Sequence, residues 1–197
     1  MRRGKPNDPG RRSRILQATL EVITADGVDA ASYRRIASHA GVPLGSMTYY
    51  FPSLEGLIVS AIDSTRGQLE PRYAAPLRDA RTRADVVDVL VDATIGPTSP
   101  SIADIRLYEE IRHYGARNQE VEDVLRTVEA ESLAMLHRVV PPAIALAVNA
   151  LLWGWWEHRV IHPDKSLDEQ TVRQAYEALI ALPSADHPFH KKEQNAS

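Results

Sequence analysis

The chain has 197 residues, 44% hydrophobic and 25% charged, a balance ordinary for a globular protein with one or two domains. It has no cysteine, which excludes disulfides and thiolate metal sites and suits a reducing cytoplasm; no apolar run of about 18 residues is present to span a membrane. The net charge of −3 hides an asymmetry: residues 1–52 hold 8 Lys/Arg against 4 Asp/Glu, whereas residues 53–197 hold 15 against 22, the pattern of a polyanion-binding end on an acidic body.

In chain order, residues 1–10 form a basic arm with Arg2, Arg3 and Lys5, expected to be flexible and lacking the apolar core of a signal peptide. From Arg11 to Ala25, Ile15, Leu16, Leu20, Val22 and Ile23 fall on one stripe at helical period, and Gly27 follows as a helix stop. Ser32 is placed to cap a short helix, "YRRIASHA", that ends at Gly41, and Pro43 opens the next. Two short helices joined by a tight turn containing glycine have the geometry that sets a second helix into a DNA major groove. Arg34 and Arg35 stand at the start of the first of these helices, and Arg11, Arg12 and Arg14 follow the arm. All are suited to phosphate. The second helix, within "GVPLGSMTYYFPSLEGL", has no Lys or Arg, so base reading there falls to hydroxyls, methyl groups and tyrosines.

Beyond Phe51, the periodicity predicts a helix from Ser53 that Pro71 and Pro76 close, then "ADVVDVLVDATI", a helix capped by Ser101 and Asp104, and one capped by Asn118. Pro141-Pro142 starts the almost wholly apolar segment Ala143–Trp156, which reads as buried on all sides. Ala143, Ala147, Ala150 and Gly154 form a strip of small residues along it, so a subunit interface is expected there. Ser166 to Glu169 matches a capping box for a last helix ending at Pro183, and a polar tail, 184–197, is expected to be disordered. The count is about nine helices and no strands, an all-α fold.

Three stretches carry a resemblance: "RILQATLEVI", Gly27, and "SYRRIASHAGVPLGSMTYYFPSLEGLI". Residues 11–60 resemble the DNA-binding domain of the tetracycline-repressor (TetR) family of bacterial regulators. The resemblance implies a helix-turn-helix DNA-binding domain over 11–52 and a ligand-binding and dimerisation domain over 53–183. It gives Ser32, Arg34 and Arg35 a place on phosphates or an outer base edge. Leu44, Gly45, Ser46, Thr48, Tyr49 and Tyr50 would face the groove, with Met47 and Phe51 buried. This chain departs from the pattern in having Thr48 for a frequent tyrosine, Leu54 for a usual lysine and Pro43 for a capping serine, which puts more of the phosphate binding on the arm.

The family dimerises through its last two helices, which adds Tyr176, Leu179 and Ile180 to the small-residue strip as interface candidates. Family members commonly bind a small effector inside the second domain, for which Tyr108, His113, Tyr114, Asn149, Trp153 and Trp156 are the aromatic and polar candidates. Asn149 is the one polar residue amid the apolar helix, and its amide needs partners from a ligand or from a neighbouring group. His158 and His162 have a possible ligand spacing, but histidines at a helix end favour the helix dipole, so no metal is expected and no cofactor. The implied function is a homodimeric repressor released from a palindromic operator by a small molecule. The alternatives are an activator or a regulator controlled by a protein partner. An α-helical enzyme is disfavoured, because no phosphate loop or nucleophile motif is present.

Overall fold

In the computed structural model, which describes residues 10–68 and 73–182, every α-helix follows from a stripe, a cap or a break in the sequence. Ten α-helices are formed among the described residues: α1 (Arg11–Asp26), α2 (Tyr33–His39), α3 (Met47–Tyr50), α4 (Leu54–Ser64), α5 (Ala75–Asp79), α6 (Arg83–Ile95), α7 (Ile102–Gly115), α8 (Gln119–Leu136), α9 (Pro142–Ile161) and α10 (Glu169–Ile180). The described residues contain no strand, so the all-α expectation holds. The arm residues 1–9, Pro71 and the tail from residue 183 lie outside the described residues.

The tenth helix is α5, which the sequence reading closes off. Pro76 lies in its first turn, where a missing N–H costs nothing, so this proline admits a helix instead of ending one. The expected cap of the last helix also moves. Asp168, not Ser166, accepts from the Thr171 amide at 2.8 Å and starts α10. The caps expected at Ser101 and Asn118 form, with Asp104 N donating to Ser101 Oγ at 3.1 Å and Val121 N to Asn118 Oδ1 at 3.0 Å.

The chain divides into two units that are not contiguous in sequence. Among the described residues, those up to 65 fold with 106–125, and those of 66–105 with those from 126 onward. In the first unit, α1 packs on α2 and α4 around Ile15, Ile23, Ile36, Met47 and Leu57, all fully buried. Leu107, Ile111 and Val121, from the end of α7 and the start of α8, complete this core. This division differs from the expected boundary after residue 52, because helical periodicity shows that a face is buried but not what covers it.

In the second unit, α6, α9 and α10 pack together around Val86, Val148, Val172 and Tyr176. The Thr94 hydroxyl donates to Leu90 O at 2.7 Å, which leaves it to accept from the Tyr176 hydroxyl at 2.8 Å. Burial pushes the Tyr176 phenol well above its ordinary value, so it stays protonated and keeps that donor. Trp156 Nε1 donates to Ala93 O at 3.0 Å, tying α9 to α6.

Candidate nucleic-acid interface

The turn between α2 and α3 is set by backbone bonds. The Val42 amide donates to Ala37 O at 3.0 Å and the Gly41 amide to Ser38 O at 3.3 Å, the paired closure of a helix end that needs a left-handed residue. Gly41 supplies it with φ 62°; the space around its α-carbon is open, so the backbone angle and not crowding requires glycine. Buried Val42 belongs to the same core as Ala37 and anchors the turn. A 3-10 turn, Leu44–Ser46, leads into α3, with Pro43 just before it in extended backbone rather than inside the helix.

Side chains sort cleanly along this segment. Met47 and Phe51 are buried, whereas Leu44, Gly45, Thr48 and Tyr49 are exposed, with Ser46 and Tyr50 half-buried. Tyr49 is 74% exposed and meets Tyr50 edge-on at 5.0 Å. The Tyr33 hydroxyl donates to Phe51 O at 2.6 Å and so pins the start of α2 to the end of α3. Burial raises its phenol above the ordinary range, which keeps the donor proton in place.

Cations stand on the helices next to this uncharged segment. Ser32 caps α2 by accepting from Arg35 N at 3.3 Å, which places Arg34 and Arg35 on the first turn. Ser32, Arg34, Arg35, Ser38 and His39 line an open concavity of about 610 Å³. Arg34 is exposed and has no ion-pair partner among the described residues, while Arg35 pairs with Asp26 at the end of α1. His39 Nε2 lies 2.7 Å from Glu21 Oε2. Hydrogen bonds from Gln17 and then His39 hold the Glu21 carboxyl below its ordinary value. The Arg12 guanidinium stacks 5.2 Å over the Phe51 ring, beside the end of α3, and Arg11 is half-buried. Sequence reading does not single out Tyr33, Ser38 or His39. Tyr33 and Phe51 are far apart in sequence, and only the turn geometry brings them together.

The arrangement is a helix-turn-helix with an exposed, uncharged second element flanked by arginines. Residues 15–61 match the family model described as "Bacterial regulatory proteins, tetR family". The regulator BetI of Cronobacter sakazakii, an HTH-type transcriptional regulator, is 33% identical over 197 residues, covering 94% of this chain and 96% of that protein. The chain belongs to the TetR family. It is thus a DNA-binding transcriptional regulator whose relatives are regulators rather than enzymes. Other curated regulators align over shorter stretches, 61% and 57% of their own lengths in two cases. Among solved structures, a transcriptional regulator of Streptomyces coelicolor A3(2) is similar with a TM-score of 0.78 and 29% identity, over 88% of this chain and 99% of that one. The multidrug-binding protein EbrR, solved in complex with imidazole, has a TM-score of 0.69 and 27% identity over 90% and 99%; it has also been solved with proflavin, malachite green and ethidium.

The effector candidates divide between the units of this TetR-family chain. Tyr108, His113 and Tyr114 belong to the first, where the Arg117 guanidinium lies 5.8 Å over the Tyr114 ring. Asn149, Trp153 and Trp156 belong to the second, where Trp153 meets Trp156 edge-on at 5.1 Å and Tyr73 lies 6.4 Å from Trp156. Asn149 is buried, and no hydrogen bond to its amide is formed among the described residues. The His158 and His162 rings stand 4.7 Å apart, and the described residues hold no group of three or more side chains able to bind a metal.

The interface candidates also separate. Ala143, Ala150 and Gly154 are exposed and Ala147 half-buried, so the small-residue strip of α9 faces outward, beside Leu146 at 56% exposure. Within this chain, Ile144, Ala145, Val148, Asn149 and Trp156 form the single buried face of α9. Tyr176 and Ile180 are core residues of the second unit and present no surface to a partner, while Leu179 is half-buried. Among the described residues, no helix is long and apolar enough to cross a membrane.

Proposed function

We propose that the protein is a repressor that binds a near-palindromic operator as a homodimer and is released by a small molecule held in its second unit. The observation that carries this reading is the exposed face of residues 43–50 mounted on buried Met47 and Phe51, with Arg12 over the Phe51 ring and Arg34 and Arg35 on the first turn of α2. Arginines give affinity through phosphate; the exposed hydroxyl and apolar groups give sequence. A two-fold dimer presents two such faces to half-sites about one helical turn apart. The outward strip of small residues on α9 supports that pairing, because it lets a second helix approach closely.

For the effector, the Tyr73, Trp153 and Trp156 group with the buried Asn149 offers stacking surface and hydrogen-bonding groups in one unit. The bound dyes of EbrR fit the same chemistry, flat aromatic molecules. Release requires the ligand to prefer the form with misplaced DNA helices, a coupling of about 1–3 kcal/mol. The test is selection of genomic fragments by the purified protein at about 150 mM salt. Recovery of a near-palindrome supports the reading, and recovery of no preferred sequence overturns it. Proflavin or ethidium added to the recovered complex then tests release, with quenching of the three tryptophans, all on α9, as the binding signal.

A further inference from the structure

The recognition face is distinctive in its chemistry. From Gly41 to Ser53 there is no Arg, Lys, His, Asn, Gln, Asp or Glu. Bidentate reading of guanine uses Arg or Lys, that of adenine uses Asn or Gln, and cytosine is read by a carboxylate. None of these pairings is available on this element. Its hydroxyls, on Ser46, Thr48, Tyr49 and Tyr50, can donate or accept and so bond to either kind of base edge. Hydroxyls alone therefore discriminate weakly.

What the element offers instead is apolar surface. Leu44 is 50% exposed at the start of the element, the end whose residues meet base edges in a helix-turn-helix. Thr48, four residues further on in α3, is also exposed and carries a methyl group. Val42, Met47 and Phe51 already fill the core, so Leu44 is not needed there. On the major-groove edge of a base pair, the thymine C5-methyl is the one apolar group, and leucine and the threonine methyl are complementary to it.

We propose that this regulator reads its operator through thymine methyl groups, with Leu44 and Thr48 as the specificity-determining residues. The inference rests on the DNA-binding reading above and adds to it the chemical class of the half-site: thymines under the start of the recognition element. Arg12 and Arg34, outside the element, then set affinity without setting sequence.

The experiment uses the full chain and a random-sequence duplex pool at about 150 mM salt. The enriched duplex is remade with deoxyuridine for thymine, one position at a time, which removes only the methyl group. Affinity should fall about three- to fivefold at one or two positions in each half-site, as expected for about one buried methyl-sized group. Leu44→Ala should abolish that penalty at one position and Thr48→Ser at the other, each variant binding thymine and uracil duplexes alike there. Both side chains are exposed, so thermal unfolding should be unchanged. Equal affinity for the fully uracil-substituted site, or an enriched half-site without thymine, overturns the inference while leaving sequence-specific DNA binding intact. Failure to enrich any sequence overturns both.

Discussion

Single residues in the first unit divide into those that hold the recognition element and those proposed to meet DNA. Tyr33, Val42, Met47 and Phe51 do the first through one hydrogen bond and three buried side chains. Arg34, proposed for the second, has no competing carboxylate among the described residues, whereas Arg35 is paired with Asp26. Arg34→Ala should therefore weaken binding to selected and random duplexes alike and reduce the salt slope of log K by about 1. Titrations at several salt concentrations check this, and a loss confined to the selected sequence would assign Arg34 to a base instead. The inward positions of Met47 and Phe51 are legible in the sequence from the apolar spacing and the family pattern. The partners of Arg12 and Arg35 are not, because Phe51 and Asp26 reach them only through the folded turns.

Helix ends decide much at the scale of elements. Stop signals at Gly27 and Gly41 are readable because few residues besides glycine take positive φ, here 80° and 62°. Proline is ambiguous: Pro76 reads as a stop yet starts α5. Ser166 and Asp168 compete for one cap, and the carboxylate nearer to α10 takes it. Two caps carry a pH signature. Asp85 is held below the ordinary carboxylate range by amide bonds from Arg81 and Thr82, and Asp168 by that from Thr171. A carboxyl depressed in the folded state contributes stability that is present above its unfolded value and lost as pH falls through the folded one. Melting temperature should thus decline below about pH 4, and less so in Asp85→Asn and Asp168→Asn chains, whose melting at neutral pH should be lower. Parallel acid profiles for variants and wild type would remove these caps from the account.

For the whole molecule, the sequence makes the all-α class and the helix-turn-helix readable, since both rest on local periodicity and on a spaced motif. It does not show that residues 106–125 join the first unit, because an amphipathic stripe is silent about its partner. Tyr176 and Ile180 are misplaced for the same reason: their inner face meets α6 and α9 of one chain. The strip on α9 remains the surface from which a dimer is argued. A side chain at Gly154 meets nothing within 4 Å, so Gly154→Arg should fold normally as a protomer. It should also sediment as a monomer at micromolar concentration and lose most operator affinity. An unchanged dimer would move the interface off this strip.

The central claim is that the face formed by residues 43–50 meets DNA. Thr48 is exposed on that face, so Thr48→Asp places a carboxylate against the groove without disturbing Met47 or Phe51 beneath it. Competition binding of wild type and this variant to the selected duplex, with melting temperature as a control on folding, is the most direct measurement. Affinity should fall at least about tenfold at unchanged melting temperature, in line with the cost of a wrong base contact. Unchanged affinity would contradict the claim.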